Sequence, residues 1–174
     1  MKVLVSAATK HGATSGISEA IAAVLTDRGF ETTVVPPQEV VDVAEYDAVI
    51  LGSAVYVGYW LEPATALVDR AHGALAARPV WVFSSGPVGD PARKLVASMG
   101  QDPIELPEVL AATRAREHRM FAGRLDKANL SLPQRAAVTL VRGLEGDFRD
   151  WADVRAWADG IADTLHAAAK PPRP

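Results

Sequence analysis

The 174-residue chain contains no cysteine. That absence removes disulfide frameworks, zinc ribbons, iron–sulfur ligation, thiol nucleophiles and CxxC redox chemistry in one step. Redox work by such a chain therefore needs a borrowed cofactor. Long hydrophobic runs are missing as well. No stretch approaches the roughly 18 apolar residues of a membrane-crossing helix, and the opening MKVLVSAATKHG is interrupted too early for a secretory core. Histidine is sparse: His11, His72, His118 and His166 are scattered, with no pair at the i, i+4 spacing that gathers ligands on one helical face, so no metal site is expected. Positive charge is not in excess either. With 18 Lys+Arg against 21 Asp+Glu the net charge is −3, which gives a nucleic acid no global attraction. What is present is apolar matter, 49% of the residues, enough to bury a sizeable core without staples. The expectation is a cytoplasmic protein with one domain over residues 1–168 and a Pro-rich basic tail over 169–174.

The apolar residues are patterned as alternating strands and helices. Lys2–Ala7 is a short β-branched run, and Ile17, Ala20, Ile21, Val24 and Leu25 recur at helical spacing before Arg28-Gly29 ends the pattern. Glu31–Val35 reads as a second strand stopped by Pro36-Pro37, and Asp47–Gly52 as a third whose continuous apolar core implies burial on both faces. A helix over about Pro63–Ala77 carries Leu67, Ala71 and Leu75 on one stripe, and Pro79–Ser84 and Glu117–Ala122 read as strands four and five. The last third reads as helical, at Gln134–Val141 and at Asp150–Ala168. Strands apolar along their length and separated by helices predict an α/β fold, a five-stranded parallel sheet with helices on both faces. In such sheets ligands bind beyond the carboxyl ends of the strands, where the strand order reverses.

Three strand ends deserve inspection. After strand one come Ala8, Thr9, Lys10, His11, Gly12, Ala13, Thr14, Ser15 and Gly16. Hydroxyls and two glycines at a helix start allow N–H groups to turn inward around a phosphate, helped by the helix dipole. The run matches neither GxxxxGK[ST] nor GxGxxG, which disfavours a nucleotide triphosphatase or a dinucleotide fold. The same residues also make a plain helix start with Thr14 or Ser15 as N-cap. After strand three come Gly52, Ser53, Ala54, Val55, Tyr56, Val57, Gly58, Tyr59 and Trp60. There small residues permit close approach of a planar ligand and aromatic rings offer stacking faces, unless those rings merely cover the next helix. After strand four come Ser84, Ser85, Gly86, Pro87, Val88, Gly89 and Asp90, a turn whose backbone can reach the polar edge of a ring. All three fall at one edge of one sheet.

Other features read more simply. The amphipathic run Leu132–Leu144, with Arg135 and Arg142, fits either a helix resting on a bilayer or ordinary core packing, and core packing is preferred. Trp81, Trp151 and Trp157 read as core. Glu145, Asp147 and Asp150 are read as a turn and helix cap rather than a carboxylate cluster. No Ser/His/Asp order or paired carboxylate stands out as a hydrolytic site.

The strand followed by T-K-H-G-A-T and a helix resembles the flavodoxin phosphate loop, with His11 where that family often has a hydroxyl. The resemblance implies a doubly wound flavodoxin-like sheet of order 2-1-3-4-5 with FMN at the switch point, as in flavodoxin itself. It further implies that the phosphate sits on Thr9–Thr14 and that the loops after strands three and four flank the isoalloxazine. Across most of its length the chain is similar to the flavodoxin-type, menaquinone-dependent protoporphyrinogen oxidases. The likeness rests on TKHGATSGIS, GSAVYVGYW, Phe121-Ala122-Gly123-Arg124-Leu125, Gly143–Asp147 and Asp150-Trp151. The closer resemblance implies an FMN oxidoreductase that takes electrons from a small reduced substrate such as a porphyrinogen to a quinone or redox-protein acceptor. The flavin would carry the chemistry with no catalytic side chain. Peripheral contact with the inner face of the membrane and a homodimer are compatible with it. An electron-carrier flavodoxin, or a reductase that prefers a deazaflavin, stands as the alternative. Asp90 is the one acid in the three loops, which favours the enzyme over a carrier with an acidic docking face.

Overall fold

The computed structural model describes residues 1–86, 102–125 and 146–169. Runs of Val, Leu, Ile and Ala give three central strands, β1 (Lys2–Ala8), β3 (Ala48–Tyr56) and β5 (Val80–Ser85), flanked by β2 (Glu31–Val34) and β6 (His118–Phe121). The order is β2-β1-β3-β5-β6 with every neighbouring pair parallel, the flavodoxin-like arrangement expected. A short β4 (Tyr59–Trp60) folds back antiparallel on the end of β3. Register aligns the carboxyl ends: Ala8 lies opposite Ser53, Ala54 opposite Ser85, and Ser85 opposite Phe121.

Alternation along the strands splits the core in two. Val3, Val5, Ala7, Ile50, Trp81 and Phe83 face α1 (Ala13–Asp27) and α4 (Trp151–Ala169). Leu4, Ala8, Val49, Leu51, Val80 and Val82 face α2 (Glu62–Ala76) and α3 (Leu106–Thr113). The α1 stripe Ile17, Ile21, Leu25 is fully buried, each side chain contributing roughly 1.5–3 kcal/mol. At the far end of the pair, Arg28 reaches Asp159 at 2.7 Å and also binds Asp163, fastening α1 to α4.

Several expectations need correction. The third strand does not stop at Gly52 but runs on to Tyr56, because Ser53 satisfies its hydroxyl locally and so tolerates full burial. Helix α3 has no counterpart in the sequence reading: eight residues with a proline in the first turn give too short a period to recognise. Trp81 and Trp157 are core, as expected, but Trp151 is only half-buried and carries the Arg149 guanidinium on its ring, 4.4 Å from the centroid. The helix expected at Gln134–Val141, the run Leu132–Leu144, Glu145, Pro87, Gly89, Asp90 and the tail 170–174 lie outside the described residues.

Candidate functional site

Residues 9–12 make the whole connection from β1 to α1. Gly12, at φ +77° and ψ −6°, is the N-cap in place of the expected Thr14 or Ser15. A left-handed cap suits glycine because no Cβ meets the neighbouring carbonyl. Thr9 Oγ1 accepts the Gly12 N–H at 3.0 Å, which closes the loop and leaves the threonine proton to donate outward. Thr14 is buried in the first turn of α1 and Ser15 is half-buried beside it. The N–H groups of that turn have no intrahelical acceptors and carry the positive end of the dipole. Lys10 and His11 are exposed. An open cavity of about 400 Å³ lies on the β2 side of the loop, between Thr9, Ser15, Glu19, Val35, Pro36 and Pro63.

The segment read as a loop after strand three is a hairpin. Val57 (φ +54°) and Gly58 (φ +84°) form its two-residue turn, both left-handed, as tight hairpins require. Tyr56 pairs with Tyr59 across the ladder, and both rings are exposed. Lys10 Nζ stands 3.9 Å from the Tyr56 ring centroid, joining the first loop to the hairpin. Ile104 N–H donates to Gly58 O at 2.9 Å, so the segment before α3 backs the turn. Tyr56, Val57, Tyr59 and Ile104 together make an exposed apolar rim.

Other residues chosen from sequence point inward. Ser53 Oγ donates to Ala54 O and accepts the Leu61 N–H, both at 2.9 Å, and so ties β3 to the start of α2. Trp60 is buried in the core on the α2 side, and its Nε1 donates to Ser84 Oγ at 2.8 Å. Ser84 also meets His118 Nε2 at 2.9 Å. Asp102 Oδ1 stands 3.6 Å from His118 Nδ1, beyond hydrogen-bond reach. Burial holds the His118 imidazole below its ordinary pKa, and Asp102 pulls the other way more weakly. Tryptophan can only donate, so an arrangement in which Ser84 gives its own proton to a neutral His118 satisfies all three side chains. This grouping has the residue types of a hydrolytic triad. It lacks the access, since Ser84 is fully buried beneath Trp60. Ser85 and Gly86 are buried too, and the Gly86 N–H is taken by Phe121 O at 3.0 Å. Ala54 and Val55 are half-buried near the hairpin base.

The remaining motif residues gather around the entry into α4. β7 (Arg124–Leu125) and β8 (Gly146–Asp147) pair antiparallel, and Phe148 N–H bonds Gly123 O at 3.1 Å. Asp150 Oδ1 accepts the N–H groups of Ala152 and Asp153, so it caps α4 as expected. Sequence reasoning passed over Arg149, His118 and Ile104, because each acts through a partner distant in the chain. Among the described residues no cluster of potential metal ligands is present and no helix is long and apolar enough to cross a membrane.

Comparison with solved structures returns the same architecture. A flavodoxin from the domain Archaea superposes with TM-score 0.64 at 14% identity, covering 95% of this chain and 99% of that one. Flavodoxin 2 from Bacillus cereus gives 0.61 at 22%, covering 94% and 99%. Rubredoxin oxygen:oxidoreductase from Desulfovibrio gigas gives 0.62 at 14%, covering 97% of this chain but 37% of that larger enzyme. At such identities these likenesses speak for the fold alone. No curated protein matches the sequence. The flavodoxin domain family model matches residues 4–151, most of the chain, and the chain belongs to that family.

Proposed function

We propose that this protein binds FMN noncovalently at the carboxyl edge of its sheet and works as an oxidoreductase between a small reduced donor and an apolar, quinone-like acceptor. The fit is supported by one observation above others. A left-handed glycine cap with open space around it, a threonine hydroxyl whose oxygen accepts the cap N–H and an exposed pair of tyrosines all lie on the same sheet edge. In this reading Thr9, Lys10, His11, Gly12, Ala13 and Thr14 hold the phosphate through N–H and hydroxyl donors. Tyr56, with Tyr59 beside it, offers the ring a stacking face. Ser53, Ser84 and Trp60 serve from behind by fixing the hairpin, and Ala54, Val55, Gly58, Ser85 and Gly86 shape the floor. Bound FMN would supply electron transfer in one- or two-electron steps, while the protein binds, orients and excludes water.

The rim favours an apolar acceptor. Residues 9–12, 56–60 and 84–86 contain no carboxylate, and the hairpin tip is a valine 85% exposed. A porphyrinogen donor is the finer proposal that the sequence resemblance adds. A second reading, an electron carrier that docks on protein partners, draws on Asp102 and Glu105, which bring carboxylates to the segment behind the hairpin.

Flavin fluorescence titration tests the proposal. Saturable quenching by wild-type protein is expected with FMN. Gly12→Val, which has open space for its side chain but not a suitable φ, should lose binding with helix content retained. A protein that leaves FMN fluorescence unchanged would refute the cofactor, and a Gly12→Val variant that keeps full affinity would move the phosphate elsewhere. Titration with a deazaflavin in parallel separates the two cofactors. Reoxidation of the photoreduced protein by a short-chain quinone, compared with reoxidation by a redox protein, separates enzyme from carrier.

A further inference from the structure

Arg149 occupies an unusual position for a cation. Its side chain is only 8% exposed, and it lies at the amino end of α1, where the helix dipole disfavours positive charge. Asp147 compensates it through two bonds, Nε to Oδ1 at 2.8 Å and Nη2 to Oδ2 at 2.6 Å. The same contact holds the Asp147 carboxyl below the usual carboxylate range, the Arg149 hydrogen bond being the largest cause. Those two bonds alone would satisfy the charge. The remaining arm does something else: Nη1 donates to Ala13 O at 3.1 Å, across 136 residues of chain. Space for that arm is made by Gly16, where an added Cβ would stand 2.7 Å from Nη1. Trp151 stacks on the guanidinium plane, and the β7–β8 ribbon anchors the segment that carries it.

The carbonyl chosen is informative. Ala13 C=O and Thr14 N–H belong to one planar peptide group, and the Thr14 N–H lies in the first turn, where no intrahelical acceptor is available. A charge-assisted bond on the carbonyl side polarises the N–H on the other side and fixes the orientation of the peptide plane. We propose that Arg149 is a positioning residue for the phosphate subsite: through Ala13 O it turns and strengthens the Thr14 N–H as a donor to the FMN phosphate. The inference rests on the FMN reading above. Asp147 already neutralises the cation at this helix end, so the arm on Ala13 O is free to act on the peptide rather than on charge balance.

The test uses a ligand pair that differs only in the phosphate. Wild type, Arg149→Met and Gly16→Ala are titrated with FMN and with riboflavin, following flavin fluorescence, with thermal unfolding recorded alongside. Gly16→Ala keeps the arginine but pushes its tip off Ala13 O, and alanine is favourable in a helix, so this variant stays informative if Arg149→Met folds poorly. Wild type should prefer FMN to riboflavin. Both variants should lose about fivefold in FMN affinity, about 1 kcal/mol by RT ln 5, with riboflavin affinity unchanged. An FMN-to-riboflavin ratio that stays at the wild-type value in both variants, or a parallel loss of both ligands, overturns the proposal. A wild-type protein that binds the two ligands equally would overturn the phosphate site itself, which is a different result.

Discussion

Val57→Asn should make this protein more stable. A β-branched residue at φ +54° is a backbone outlier, and the left-handed region costs a non-glycine residue about 1–2 kcal/mol. Asparagine tolerates that region and, before glycine, forms the preferred two-residue hairpin turn. Little is lost in exchange. The valine is 85% exposed, so it forgoes only a small part of the roughly 1.5–3 kcal/mol that full burial brings. The net gain is about 1 kcal/mol, which for a chain of this size raises Tm by about 2–4 °C. Thermal unfolding followed by far-UV circular dichroism, with urea midpoints as a second measure, is the assay. An unchanged or lower Tm would refute the argument, since it would show that the tip is not strained or that the side chain is packed. The functional half runs opposite: if the apolar rim meets the acceptor, Val57→Asn slows reoxidation by a short-chain quinone and leaves FMN affinity unchanged. A strained apolar tip retained at the expense of stability is the usual mark of a site in use.

Two further perturbations probe the interior. A Cβ at Gly52 would stand 2.3 Å from Cε1 and Cζ of Phe83, a ring itself wedged against Phe121 and Trp157. Gly52→Ala should therefore cost about 3 kcal/mol, the upper end for overpacking, with Phe83→Leu in the same chain restoring part of it; a Tm within 2 °C of wild type by the scale above would sink this reading. His118, with its pKa lowered by burial, binds a proton less readily folded than unfolded. Its stabilising share is complete above the ordinary value of 6.5 and is lost as pH falls below it. Unfolding free energies from urea titrations, measured from pH 7 downward, should fall more steeply in wild type than in His118→Gln, by at most about 1.4 kcal/mol per pH unit, and identical slopes would contradict the assignment.

The parts of the fold legible in the sequence are those governed by periodicity. β1, β3 and β5 announce themselves as apolar runs and α1 as a 3.6-residue stripe, because burial on two faces or on one leaves different spacings. Where polar residues are buried by pairing, the signal fails. Ser53 and Ser84 read as residues of loops that flank a ligand, yet their partners, Leu61 N–H, Trp60 and His118, turn them into framework. Trp60 reads as a stacking ring for the same reason: its polar edge has a buried acceptor that no local pattern reveals. Gly52 suggests room for a planar ligand, and the plane it admits is Phe83. The loop 9–16 reads as a candidate anion cradle from its hydroxyls and glycines. The Arg149 contact to it was not, because that depends on two distant segments folding side by side.

The packing of α4 sets the timing of assembly in the cell. Val154, Trp157, Ile161 and Leu165 close the same core layer that α1 and the central strands open, and they are made after every other described element of it. A ribosome that has just delivered Phe121 must add 48 residues, from 122 to 169, before that face of the sheet can be covered. At about 5–20 residues per second the wait is roughly 2–10 s. Until α4 docks, Phe83 and Phe121 lack the Trp157 ring that packs against both of them, so this layer of the core closes only after the other described elements have been made.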